Sequence, residues 1–146
     1  MLEPVELSRE ESESLLRLGV VGRVAVTTPD GPVIVPVNYA VVDDAVILRT
    51  TPYSVLGRHA RDALVAFEVD RLDQDQQHGW SVLARGRAEA VTDPGELDRI
   101  EATCAPRPWA AGNRALFLRI AWTEVTGRKL GHGWSPMAEM PYKRRS

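Results

Sequence analysis

Hydrophobic and polar positions alternate with a period of two through most of this chain. Val24 and Val26 alternate with Arg23, Ala25 and Thr27, and Val65, Phe67 and Val69 alternate with Ala66 and Glu68. Side chains two apart share one face of a strand, so each run reads as a half-buried strand. The pattern predicts strands over 22–28, from Pro32, over 45–51, 64–70, 80–91, 115–122 and 125–130. Pro29-Asp30-Gly31 and Asp43-Asp44 are tight turns between successive strands. Three helices interrupt the alternation. Ser8-Arg9-Glu10-Glu11 is a capping box, and the helix it opens carries Leu15, Leu16 and Leu18 and stops near Gly19. Ser54 caps a short helix over 55–60, and Asp93-Pro94 with Glu96 starts one running to about Cys104. Strands joined by tight turns give a largely antiparallel sheet. The fold class is therefore mainly β: a small, nearly closed barrel with two or three short helices.

Three places depart from plain strand chemistry. Pro36 lies inside a strand, which predicts an edge position or a ladder broken beside it, with backbone groups left for a ligand. Arg49-Thr50-Thr51 ends the next strand. It reads either as a solvated strand end or as a polar wall for a phosphate-bearing ligand. Ser54 then starts a helix, whose first amides form an anion site to which Arg49, Arg58 and Arg61 add charge. Gly86 marks a bulge or barrel bend, and 71–78 reads as an exposed polar loop.

Length and charge narrow the classes. A chain of 146 residues forms one domain with a real core, and its net charge of −2 gives no basis for binding nucleic acid. Residues 1–131 make the domain, and 132–146, ending in Lys143-Arg144-Arg145, reads as a loosely ordered tail. One cysteine, Cys104, excludes an internal disulfide and reads as a small core residue. His59, His78 and His132 have no Cys or Glu at ligand spacing, so no metal site is expected. The acidic N-terminus and the lack of a long apolar run predict a cytoplasmic protein that does not enter membranes. No nucleophile elbow, Walker loop or dinucleotide-binding glycine turn is present.

Four motifs, in this order and spacing, resemble the pyridoxamine 5′-phosphate oxidase-like family of flavin-binding split barrels. They are Gly22-Arg23-Val24-Ala25-Val26, Pro36-Val37-Asn38-Tyr39, Leu48-Arg49-Thr50-Thr51, and Gly79-Trp80-Ser81-Val82 leading to Arg85-Gly86-Arg87-Ala88-Glu89. Arg107-Pro108-Trp109 and Thr126-Gly127-Arg128-Lys129-Leu130 extend the match to most of residues 8–130. The resemblance implies a split β-barrel homodimer with flavin mononucleotide (FMN), or in some branches a deazaflavin, in grooves between subunits. It implies that Val35, Pro36, Val37 and Asn38 lie along the ring system, and that Arg49, Thr50 and Thr51 face the ribityl chain and phosphate. Ser54, Val55 and Leu56 would stand at the phosphate, supported by Arg58. Trp80 and Ser81 would reach the flavin from a neighbouring strand or the partner. Trp109 would be a lid or a dimer anchor, with dimer packing preferred. The family commonly carries a lysine or arginine just after the residue matching Ser54, where this chain has Val55 and Leu56. The implied activity is oxidoreduction of a small molecule, with no catalytic acid or base assigned. A non-catalytic flavin or haem carrier on the same fold is the alternative.

Overall fold

The computed structural model describes residues 5–104, 116–131 and 136, without the side chains of 103 and 104. The expectations for Trp109, for the loop from Ala105 to Trp109 and for most of the C-terminal tail lie outside the described residues. In chain order the elements are β1 (Val5–Leu7), α1 (Arg9–Leu18), β2 (Val21–Thr28), β3 (Gly31–Val42), β4 (Ala45–Thr50), α2 (Val55–His59), β5 (Ala63–Asp73), β6 (His78–Ala90), α3 (Pro94–Cys104) and β7 (Leu116–Leu130). All strand pairs are antiparallel, in the order β1-β7-β4-β3-β2-β5-β6, and β6 also pairs with β7. That last pairing closes the sheet into a barrel. The main core fills it with Val24, Val26, Phe67, Val82, Leu118 and Ile120, all at most 2% exposed.

The register shows where the barrel is split. β3 pairs with β2 from Gly31 to Asn38 but with β4 only from Tyr39 to Val42. Beyond Tyr39 and Leu48 the two strands part, so Gly31–Asn38, two thirds of β3, pairs with β2 alone among the described strands. The Tyr39 amide donates to the Val20 carbonyl at 2.9 Å. By alternation, Arg23–Pro36 and Thr27–Pro32 are then non-hydrogen-bonded pairs of the β2–β3 ladder. Pro36 therefore leaves this ladder intact, contrary to the expected break. Its missing N–H falls on the opposite edge, facing the split, and so does that of Pro32. The prolines sit where a strand tolerates them, and they also remove donors that would invite another strand.

Two further expectations are corrected. The stretch 115–130 is one strand from Leu116, not two: opposite Arg85 and Gly86 the partners step from Glu124 to Trp122, so Thr123 is the extra residue of a bulge in β7 that bends the strand without ending it. Gly86 is needed there: a Cβ would lie 2.1 Å from the Ala121 carbonyl. The polar stretch 71–78 is mostly strand, with Arg71 opposite Trp80 and Asp73 opposite His78, so the exposed turn is only 74–77. The short β1, paired with the end of β7, carries no signal in the alternation.

α1 closes one end of the barrel. Its capping box forms as expected, and Leu15 and Leu16 are buried in the core. Arg17 reaches from its last turn to the β3–β4 turn, donating to the Asp43 carbonyl at 2.7 Å and to the Asp44 carboxylate at 2.8 Å. Its guanidinium also lies 5.6 Å from the Trp122 ring. The Tyr39 hydroxyl donates to the Leu16 carbonyl at 2.6 Å, near the helix end where carbonyls lack helical partners. Burial holds this phenol well above the usual range, so it stays a donor. Gly19 allows the contact, since a Cβ there would stand 1.9 Å from the Tyr39 oxygen. α3 covers a second, smaller core of Ala45, Ile47, Val91, Ile100 and Phe117 outside the barrel.

Tyr39→Phe should cost about 1 kcal/mol, the worth of one hydrogen bond. Gly19→Ala should cost more, because it displaces the ring as well as the bond. Urea unfolding of the two variants checks the order, and a Gly19→Ala variant as stable as the parent would show that the contact is dispensable.

Candidate functional site

The site is built where β3 and β4 separate. Val46 and Leu48 point into the barrel core, while Ala45 and Ile47 point out under α3. Alternation therefore puts Arg49 on the outer face, and its guanidinium lies 5.8 Å from the ring of its cross-strand neighbour Phe117. On β3, Val35, Val37 and Tyr39 pack inward, so Pro36 and Asn38 face outward. Asn38 and Arg49 would be the next cross-strand pair if the strands stayed together. Instead an amide and a guanidinium stand on the two lips of the split, on the same outer face.

Behind them Thr50 turns inward and shares a 2.6 Å hydrogen bond with Ser54. The Ser54 hydroxyl also lies 2.9 Å from the Thr51 carbonyl and caps α2 by accepting from the Gly57 amide at 3.0 Å. The chain folds back tightly here: a Cβ on Gly57 would lie 2.1 Å from the Thr51 carbonyl. These bonds fix the two hydroxyls as one unit. They also take one of the amides that the sequence assigned to an anion, and α2, with five residues, is too short to add a useful dipole. The helix cap is as expected; an anion site made by the helix end itself is not supported.

Direct contacts join Thr50, Thr51 and Ser54, while Asn38 and Arg49 stand just past the end of the β3–β4 ladder, Pro36 is exposed further along β3, and Val35 and Val37 pack against the core. Val55, 42% exposed, borders the same corner. Arg58 is exposed in the last turn of α2, and Arg61 donates to the Gly57 carbonyl at 3.0 Å. Leu56 and Trp80, 2% and 3% exposed, belong to the core, so neither side chain is offered to a ligand from this chain. Ser81 lies on the outer face of β6, with β2 and β5 between it and β3. It does not reach the split of its own subunit.

Sequence reading missed one polar cluster. Arg23 stands opposite both Pro36 and Glu68. Its Nη1 lies 3.0 Å from Glu68 and 3.2 Å from Asp70. Partial burial, then the neighbouring Asp70, push the Glu68 carboxyl up to about 7 despite Arg23. The available signal was that Arg23, Glu68 and Asp70 all occupy the polar phase of alternating strands; only the register unites them. Elsewhere Arg119 ties β7 to α3 and β6 through Glu96 and Glu89, and Glu96 raises its proton affinity further. Among the described residues no group of three His, Cys, Asp or Glu could hold a metal ion, and no helix is long and apolar enough to cross a membrane.

Comparison with known proteins follows the same architecture. The family model described as pyridoxamine 5′-phosphate oxidase matches residues 8–129. The uncharacterized protein Rv0080 of Mycobacterium tuberculosis is 42% identical over 133 residues, covering 88% of this chain and 86% of that one. Among solved structures, the FAD binding protein from Mycobacterium smegmatis superposes with a TM-score of 0.73 at 30% identity, covering 86% of this chain and 96% of its own. A conserved protein of unknown function from Corynebacterium diphtheriae gives 0.74 at 31%, covering 88% and 98%.

Ser54→Ala removes the α2 cap and the bond to Thr50 together. It should lower stability by about 1 kcal/mol, as loss of a serine cap does. Thr50→Val keeps the cap and should cost less. Denaturation midpoints of the two variants test that order.

Proposed function

The chain belongs to the pyridoxamine 5′-phosphate oxidase family, and from this we propose that it binds a flavin at the split between β3 and β4 and acts as a flavin-dependent oxidoreductase on a small molecule. The observation that carries the reading is the parting of the strands at Asn38 and Arg49, which sets a neutral donor–acceptor and a fixed cation on one face. The residues fit such a group. Arg49 suits a phosphate, Thr50 and Ser54 suit ribityl hydroxyls, and the uncovered edge of β3 suits a planar ring laid along Val35 to Asn38. A bound flavin supplies hydride or electron transfer, and the protein's part is binding and orientation.

FMN is our first choice of cofactor. A deazaflavin reductase on the same groove is the second reading, favoured by the apolar, part-exposed Val55 and buried Leu56 where a basic phosphate ligand is usual. The FAD-binding M. smegmatis relative makes FAD a necessary third titrant. A second subunit completes the groove: we propose a homodimer that covers the outer face of β2, β5 and β6, and a cytoplasmic location. Ser81 and Trp109 would serve the groove through that assembly.

The purified protein, titrated with FMN, FAD, riboflavin and deazaflavin, should bind at least one tightly, and turnover with a nicotinamide donor separates an enzyme from a carrier. Binding of none of the four would remove the proposal. Arg49→Ala should lose roughly 2–3 kcal/mol of flavin affinity with little change in melting temperature. Equal dissociation constants would take Arg49 out of the site. Val55→Lys should raise affinity for FMN more than for riboflavin, which lacks the phosphate. An equal or absent gain would place the phosphate elsewhere.

A further inference from the structure

The free edge of β3 is unevenly supplied with hydrogen-bonding groups. By the alternation that starts from the Tyr39–Val20 bond, Val33, Val35 and Val37 turn their backbone groups to β2, and Pro32, Ile34 and Pro36 turn theirs to the split. An ordinary strand presents an N–H and a C=O at every such residue. Here prolines take two of the three places. The edge from Pro32 to Pro36 therefore presents three carbonyls and a single N–H, that of Ile34. All three residues are exposed, Ile34 at 67%, and among the described residues no strand pairs with this edge. The donors nearby stand outside this row. Asn38, at its end, brings acceptors along with its donors, and Arg49 belongs to the other lip, over the Phe117 ring.

A carbonyl covered by a ligand needs a donor in place of water. This edge suits a ligand that offers N–H groups, and it suits another strand poorly, because a strand needs donors from its neighbour as well as acceptors. A flavin ring meets that demand unequally in its two states. Oxidised, the ring carries a single N–H, and its other polar ring atoms accept. A hydride from a nicotinamide donor and a proton from solvent add an N–H at each ring nitrogen that takes one up, and the nicotinamide leaves oxidised. We infer that the β3 edge, through Pro36 above all, binds a reduced flavin more tightly than an oxidised one and so raises its reduction potential; this rests on the flavin reading given above. The oxidised ring sets lone pairs against the carbonyl lone pairs of Ile34 and Pro36, and the reduced ring donates to them. A ligand held more tightly in one state moves the equilibrium toward that state by the ratio of the two affinities. A deazaflavin has carbon in place of one of those nitrogens, gains fewer N–H groups on reduction and should show a smaller preference.

The test is an anaerobic reductive titration of the full chain loaded with FMN, or with FAD if FMN does not bind, against a reference dye and beside the free flavin in the same buffer. The reduced flavin should bind about tenfold more tightly than the oxidised one, which for a two-electron couple places the midpoint about 30 mV above that of the free flavin. Pro36→Ala adds an N–H within the stretch proposed for the ring. It should lower the ratio of the two affinities by roughly three- to tenfold, the effect of one hydrogen bond, and bring the midpoint back toward the free value. Pro32→Ala makes the same chemical change beyond that stretch and should leave the midpoint in place. Both prolines are exposed, so neither substitution opens a cavity. Pro36→Val, which keeps a strand-forming residue, takes over if the alanine variant folds poorly. A midpoint at or below that of the free flavin, or a Pro36 variant with the parent's midpoint, would overturn the inference and leave the flavin reading standing. A chain that binds neither the oxidised nor the reduced flavin would remove both.

Discussion

Everything in this molecule depends on β6 meeting β7. Without that ladder the other strands form an open, strongly twisted sheet with two bare edges. With it, the sheet closes around a dry core and α1 can seal one end. Closure needs a strand that curves, and the slip between Arg85 and Gly86 provides the bend where the Ala121 carbonyl leaves no room for a side chain. Because β7 is one uninterrupted strand of 15 residues, it can serve β6 along one edge and β4 and β1 in turn along the other. The split between β3 and β4 is a by-product of the same geometry. β4 follows β7 as far as Thr50, while β3 stays with β2, and the two separate beyond Leu48.

Much of this was legible in the alternation of side chains. Strand period gave β2, β4 and most of β5 and β6, and turn chemistry gave both hairpin turns. Capping residues placed the starts of all three helices, since Ser8, Ser54 and Asp93 each accept from an amide three residues on. What failed had a common cause. The division of β7 in two and the loop at 71–78 both came from local composition, but the pairing partner decided each case. Arg71 and Asp73 are polar because their strand runs out into solvent, not because it stops. Pro36 was expected to break its ladder and does not, because its missing N–H faces away from β2, and that depends on the parity of hydrogen bonds, which no single strand reveals.

The candidate site was legible to a lesser extent. Asn38, Arg49, Thr50 and Ser54 were visible as polar interruptions; Thr50 and Ser54 bond to each other, and Asn38 and Arg49 stand where β3 and β4 part. Trp80 fell within a matching motif and Leu56 at the expected phosphate position, but both serve the core. A motif keeps residues that shape a site from beneath together with those that line it, and sequence alone does not separate the two. The cluster of Arg23, Glu68 and Asp70 shows the converse, since each residue looks like ordinary strand surface until β2 and β5 are placed side by side.

The place of β7 as the last of the barrel strands in chain order has a consequence for synthesis. Leu7 pairs with Gly127, and Ala45 with Ala121, so the strand that completes the barrel leaves the ribosome after all the strands it joins. Hairpins such as β2–β3 and β5–β6 join neighbours in sequence and can form early. Among the described strands β1 pairs only with β7, as Leu7 with Gly127, and the second edge of β4 likewise waits for β7, as Ala45 with Ala121. Contacts this distant are slow to form, because loop closure comes before the contacts that reward it. Until β7 arrives, the inner face of the sheet is an exposed apolar surface with open edges, the state in which β-rich chains aggregate. A nascent chain stalled before residue 116 therefore carries most of the core without the means to enclose it, which makes translation of β7 a vulnerable interval in the life of this protein.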